Sequence, residues 1–206
     1  MLSTPGIHPP AHARPEVDQL RLLAARLAAV PGLSARFREE KHLALLVSPL
    51  LSEGTLYFSP PNLLLRRVDS PIPSSVLIRE GRLSMTSEGG LMTIGLDEDP
   101  VVRVFADSLR MVLSGDLSGL RTIYEVELTA FDPAEEGLFA LQLKPLDPAL
   151  RSVLSAIEVQ GRGTKITQLK VQEAGGDFSI TRFTEFNNER EFESEEIDSI
   201  FALPPS

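Results

Sequence analysis

From Leu33 to Asn187 the chain is cut by proline and glycine into short runs, and nearly every run alternates in hydropathy or is apolar throughout. That pattern restricts the fold more than any other feature, because connections so short join antiparallel neighbours and leave no room for crossover helices. Leu33, Ala35 and Phe37 alternate with Ser34, Arg36 and Arg38, the two-residue period of a strand. Further strands are predicted at 50–59, 62–69, 73–79, 82–87 and 91–96, broken by Pro60-Pro61, Pro71, Glu80-Gly81 and Gly89-Gly90. Two more flank Asp132-Pro133, at 122–131 and 137–144. The last three, at 155–160, 164–173 and 177–186, are separated by Gly161, Gly163, Gly175 and Gly176. Helical spacing of apolar residues occurs over 16–30, stopped by Pro31-Gly32, and over 100–113. Asp147-Pro148 caps a third, short helix reaching Leu154. The fold class read from this order is α+β: an incomplete antiparallel β-barrel of about ten or eleven strands, with about three helices over its concave apolar face.

Several strands are apolar on both faces. Leu63, Leu64 and Leu65 are consecutive, as are Val76, Leu77 and Ile78, and Leu91 and Met92 precede Ile94. One face of such strands packs beneath helices; the other demands a separate explanation, either an ordinary second core layer or a pocket. Residues 16–206 show no internal boundary and read as one domain. Residues 1–15, with Pro5, Pro9, Pro10 and Pro15, read as a non-helical tail or, from the small-x-small Ala11–His12–Ala13, the remnant of a leader.

The charges narrow the partners. Twenty Lys and Arg against 29 Asp and Glu give a net charge of −9, which a duplex or an anionic bilayer repels, so no nucleic-acid partner is expected. The absence of cysteine removes thiolate catalysis and cysteine metal sites. His42 is the one histidine outside the first 15 residues, and no G-x-S-x-G elbow stands near a base; Gly115–Gly119 reads GDLSG. Gly161-Arg162-Gly163 leads into a strand, so a hairpin turn explains it better than a nucleotide loop. Asp97, Glu98 and Asp99 precede a helix whose N-terminus their charge favours. Glu185–Asp198 holds seven acids against one arginine, a solvated face or a surface for a basic partner. No catalytic residue, metal ligand or cofactor is assigned.

The order of motifs resembles the LolA-like outer-membrane lipoprotein carrier family. The resemblance runs through Phe37, Glu39 and Lys41; Gly54, Leu56 and Phe58; the Pro61-Asn62-Leu63 turn; Ser70-Pro71; and the Glu80-Gly81 hairpin. It continues in weaker form through Leu143-Lys144-Pro145, Asp177-Phe178, Phe186-Asn187 and Ile200-Phe201 with Pro204-Pro205. It implies a periplasmic monomer whose apolar cavity binds the acyl chains of a lipidated protein or other lipid. An inner-membrane transporter would supply that cargo and an outer-membrane acceptor would receive it. The alternative is a lipid-sensing regulatory module without transport. Cavity positions on the early strands are Phe37, Leu56, Phe58, Leu63, Leu65, Val76 and Ile78. Met85, Met92, Ile94, Leu109 and Met111 complete the lining, and Arg66 and Arg67 are placed at a head group. Alternation leaves open whether Leu64 or Leu65 points inward. The resemblance also implies a basic residue just before the P-N-L turn, holding a lid helix closed; Pro60 stands there and has no donor.

Overall fold

The computed structural model describes residues 13–95 and 100–203. Eleven strands form one antiparallel sheet: β1 (Leu33–His42), β2 (Leu50–Ser59), β3 (Leu63–Ser70), β4 (Ser74–Arg79), β5 (Arg82–Ser87), β6 (Gly90–Gly95), β7 (Tyr124–Phe131), β8 (Leu138–Pro145), β9 (Leu154–Arg162), β10 (Lys165–Glu173) and β11 (Phe178–Asn187). Their order is β6-β5-β4-β3-β2-β1-β11-β10-β9-β8-β7, so β6 and β7 are free edges and the sheet stays open. Two consecutive meanders are thereby stitched together by the pairing of β1 with β11.

Among the described residues five helices accompany the sheet, against about three expected: α1 (Ala13–Ala28), α2 (Pro100–Leu113), α3 (Leu117–Ile123), α4 (Pro148–Arg151) and α5 (Ser194–Ile200). Helix α3 occupies a stretch to which no helix is assigned from the sequence. Asp116 caps it by accepting from the Gly119 amide at 2.8 Å, and Gly119 admits that carboxylate because a Cβ there would strike it. Helix α5 lies in the acidic stretch, with Glu195 and Glu196 in its first turn, where negative charge meets the helix N-terminus. Helix α1 begins at Ala13, so Arg14 and Pro15 are helical; the expectation for residues 1–12 and for Asp97, Glu98 and Asp99 falls outside the described residues. Pro15 fits a first turn, whose amides have no intrahelical acceptor.

The sheet's inner face packs on α1, α2 and α3. Leu20, Leu23 and Leu27 of α1 and Leu117 and Leu120 of α3 share one core with Leu56, Phe58, Leu64, Ile78, Leu141 and Val159. On the outer face the chain after β11 returns as a strap. Phe192, Ile197, Ile200, Phe201 and Leu203 cover Tyr57, Leu63, Leu65 and Leu77. The second apolar face of β3 and β4 is thus covered by the chain's own C-terminal segment.

Gly54 shows why one glycine of the early strands is required. A Cβ there would lie 1.9 Å from the Arg67 carbonyl oxygen and 2.9 Å from the Phe37 ring, beside the shift in β2–β3 register at Glu53/Gly54. Gly54→Ala must separate the strands, and is expected to cost about 1–3 kcal/mol in urea unfolding.

Candidate functional site

Register sorts the expected lining residues. Across β1, β2, β3, β4, β5 and β6 the inner face carries Phe37, then Gly54, Leu56 and Phe58, then Leu64 and Arg66, then Val76 and Ile78, then Leu83 and Met85, then Met92 and Ile94. Phe37, Leu56, Phe58, Val76, Ile78, Met85, Met92 and Ile94 therefore share the face that meets the helices. Leu63 and Leu65 do not. They pair with Ser59 and Tyr57 on the outer face, and Leu65 is fully buried beneath the strap. The reason is packing: the strap supplies apolar cover that a local reading of three consecutive leucines cannot anticipate. Arg67 shares their face, where its Nη2 donates to the Ile200 carbonyl at 3.0 Å and its guanidinium lies over Tyr57. It anchors the strap on the outer face.

The inner face is well filled. Phe37, Leu56, Phe58 and Ile78 are buried in the core, and Met85 and Met92 lie toward the exposed β5–β6 edge. What remains is a void of about 10 Å³, hardly one water, bounded by Ser108, Leu109 and Val112 of α2 and by Leu143, Ile157, Leu169 and Val171. Of the expected residues only Leu109 borders it; Met111 packs nearby against the same core. Its floor comes from β8, β9 and β10, whose pairing sets Leu143 beside Ile157 and Ile157 beside Val171. Alternation of Leu141 with Leu143, and of Leu169 with Val171, is legible in the sequence.

Helix α2, the roof of this void, is tied down by a buried polar contact. Ser108 Oγ lies 2.8 Å from the Tyr124 hydroxyl and donates to the Val104 carbonyl at 2.5 Å, and both side chains are nearly inaccessible. Burial raises the Tyr124 phenol above its ordinary range, and the Ser108 hydroxyl draws it partly back, so the ring stays neutral and able to donate. This contact helps hold the roof to the sheet. Ser108→Ala strands the phenol and should cost about 1–3 kcal/mol. Tyr124→Phe leaves Ser108 bonded to Val104 and should cost about 1 kcal/mol. Chemical denaturation of the two variants checks that order.

One strand away the floor turns polar. Leu169 pairs with Thr181, and Thr181 pairs with Glu39. The Thr181 hydroxyl donates to Glu39 Oε2 at 2.9 Å, while Arg66 Nη2 donates to Glu39 Oε1 at 3.1 Å. The Arg66 guanidinium rests 4.3 Å from the Phe37 ring centre and keeps part of its surface in solvent. Arg66 is the expected basic residue that does reach the inner face. An apolar void over β8–β10, followed along the same face by Thr181 on β11, Glu39 on β1 and Arg66 on β3, suits an amphiphile, a chain with a polar end. His42 stacks on Phe178 at 4.4 Å and lies 3.8 Å from Glu40, a packed surface position. Among the described residues no three histidine, aspartate or glutamate side chains gather as a metal site.

The family profile described as "Outer membrane lipoprotein carrier protein LolA-like" matches residues 11–189. The chain belongs to this family. Two solved structures, those of MucB and a DUF1329 family protein, agree on the fold of this LolA-like protein. MucB of the Pseudomonas aeruginosa MucA/MucB complex shares 14% identity and a TM-score of 0.51 over 89% of this chain, which spans 60% of MucB. A DUF1329 family protein from Desulfovibrio piger shares 10% identity and a TM-score of 0.50, over 91% of this chain and 97% of its own. A LolA superfamily protein from Nitrosomonas europaea aligns over 91% of this chain and 97% of its own, at 10% identity and a TM-score of 0.47. No curated protein sequence matches the chain. The LolA-like fold is that of carriers and binding proteins, and the open eleven-stranded sheet with helices on its inner face is its form here.

Proposed function

We propose that this LolA-like protein is a non-enzymatic periplasmic carrier that holds the acyl chains of a lipidated protein or free lipid between α2 and the β8–β10 floor. Its cargo would come from an inner-membrane transporter and pass to an outer-membrane acceptor. The observation that carries this reading is the apolar void beneath α2, whose floor strand β10 is followed along the same face by Thr181 on β11, then Glu39 on β1, which Arg66 of β3 holds. Each methylene withdrawn from water contributes roughly 0.8 kcal/mol, so an acyl chain crossing an aqueous compartment needs such a cover. The void is far too small for a chain as it stands. Loading therefore displaces α2, breaks the Ser108–Tyr124 contact and exposes Leu109 and Val112 to the ligand. Arg66 would meet the polar end of the cargo.

Native mass spectrometry of protein purified from cells tests the proposal. Co-purifying lipid or lipopeptide supports a carrier. A bare mass with a tightly bound protein would favour the sensing module, and a bare mass that takes up no added fatty acid would refute lipid binding altogether.

A further inference from the structure

Thirteen large apolar side chains are substantially exposed among the described residues, and they are not scattered. In an antiparallel sheet the turns β1–β2, β3–β4, β5–β6, β8–β9 and β10–β11 all lie at one end. Leu45 and Val47 stand in the first of these turns, Ile72 in the second, Leu91 beside the third, and Leu146 and Val153 around α4 in the fourth. Leu22 on α1 and Leu138 at the opposite end are the clear exceptions.

The β1–β2 turn is the most exposed part of this end. Leu45 is 96% exposed and Val47 entirely so. The ten residues Leu43–Ser52 carry no charge, and the flanking charges are already paired, Lys41 with Glu173 at 3.2 Å and Arg38 with Glu53 at 3.8 Å. The turn is also held in shape. The Ala44 amide donates to Asp177 Oδ1 at 2.8 Å and the Leu46 amide to the Leu43 carbonyl at 2.9 Å, with His42 stacked on Phe178 behind them. Ordering the turn costs little on binding, because it is ordered beforehand.

We propose that this end of the sheet docks on a lipid bilayer, with Leu45 and Val47 inserted among the acyl chains. Separate apolar knobs on successive turns do not make the continuous surface of about 800 Å² per partner that a stable protein interface requires. A fluid bilayer accepts knobs without a matching pocket. The net charge of −9 offers an anionic surface no attraction, so apolar insertion is the driving force. Leu143, Ile157 and Val171 lie in the half of the inner face nearer this end, so docking turns the void under α2 toward the membrane. This purpose rests on the lipid-carrier reading; the docking itself is tested apart from it.

The probe is co-sedimentation with phosphatidylcholine vesicles. The protein should bind them, with no gain from added phosphatidylglycerol and little dependence on salt. The double variant Leu45→Asp/Val47→Asp should bind at least about tenfold more weakly at an unchanged thermal midpoint, whereas Leu22→Asp on α1 should bind as before. Failure of the unaltered protein to sediment, or equal sedimentation of the double variant, overturns the proposal. So does a dimer in vesicle-free solution that the double variant dissolves, which assigns the same end to a second copy. Uptake of a fluorescent fatty acid below its micelle concentration, measured without vesicles, should be the same in the double variant. Loss of docking with retained uptake therefore leaves the carrier reading standing.

Discussion

A protein with glutamate in place of Leu169 should fold, yet bind a fluorescent fatty acid at least about a hundredfold more weakly. Leu169 lies on β10 where the apolar floor meets the polar row, bordering the void and paired with Thr181. It is partly exposed, so an unliganded protein can keep the new carboxylate hydrated at modest cost. A bound acyl chain cannot. It would either bury the carboxylate without a partner, at a cost of several kcal/mol, or leave the floor uncovered and forfeit the burial of several methylenes at roughly 0.8 kcal/mol each. Either loss exceeds the roughly 2.7 kcal/mol that a hundredfold change represents.

Two companions decide what the loss means. Leu169→Met keeps the floor apolar with a deformable side chain and should retain uptake. Leu91→Glu lies on the outer face, in a cleft of about 790 Å³ bordered by Arg67, Ser75, Thr86 and Leu203, and should leave uptake unchanged. This cleft is much the larger hollow of the two, but it is open and carries Asp69, Glu88 and several hydroxyls, surroundings that water already satisfies. Uptake that survives Leu169→Glu and fails in Leu91→Glu would move the ligand to the outer face. The volume of a hollow in the unliganded state says little about a site whose roof must rise.

Strand and turn positions were legible because they depend on local chemistry. Pro60-Pro61, Glu80-Gly81, Asp132-Pro133 and Gly175-Gly176 each end a run wherever the chain is placed. Helix α3 was not legible, because its start depends on the Asp116 side chain reaching the Gly119 amide, which turns an apparent breaker into a helical residue. The face of β3 was undetermined for a different reason. Leu63, Leu64 and Leu65 are equally apolar, and the choice between them is made by Phe192, Ile197 and Phe201, well over a hundred residues later. The same distance hid the meaning of two-faced apolar strands. They left a second core layer or a pocket open, and their second face is the bed of the strap. The floor of the α2 void is visible as alternation on β8 and β10, but alternation does not mark which face meets a ligand, and the family motifs are densest in β1, β2 and β3.

Phe201→Ala should remove about 3–5 kcal/mol of stability, a large share of the 5–15 kcal/mol typical of a folded domain, while leaving lipid uptake intact in the cold. Phe201 is 1% exposed and is the centre of the outer-face cluster, edge-on to Tyr57 at 6.3 Å and to Phe192 at 5.4 Å, above Leu65 and Leu77. Its amide closes α5 on the Ile197 carbonyl at 3.0 Å, next to the Ile200 carbonyl that Arg67 holds. Truncation leaves a cavity that two strands and a short helix cannot collapse to fill, so transfer and cavity costs add. Phe192→Ala should cost less, because Phe192 is only partly buried. Thermal unfolding followed by circular dichroism orders the two variants, and binding of a hydrophobic dye reports whether Leu65 and Leu77 become exposed. Because the strap and α2 lie on opposite faces of one sheet, loosening the first should not open the second. A folded Phe201→Ala protein that has lost fatty-acid uptake would show the two faces acting together, and the assignment of stability to one and cargo to the other would fall.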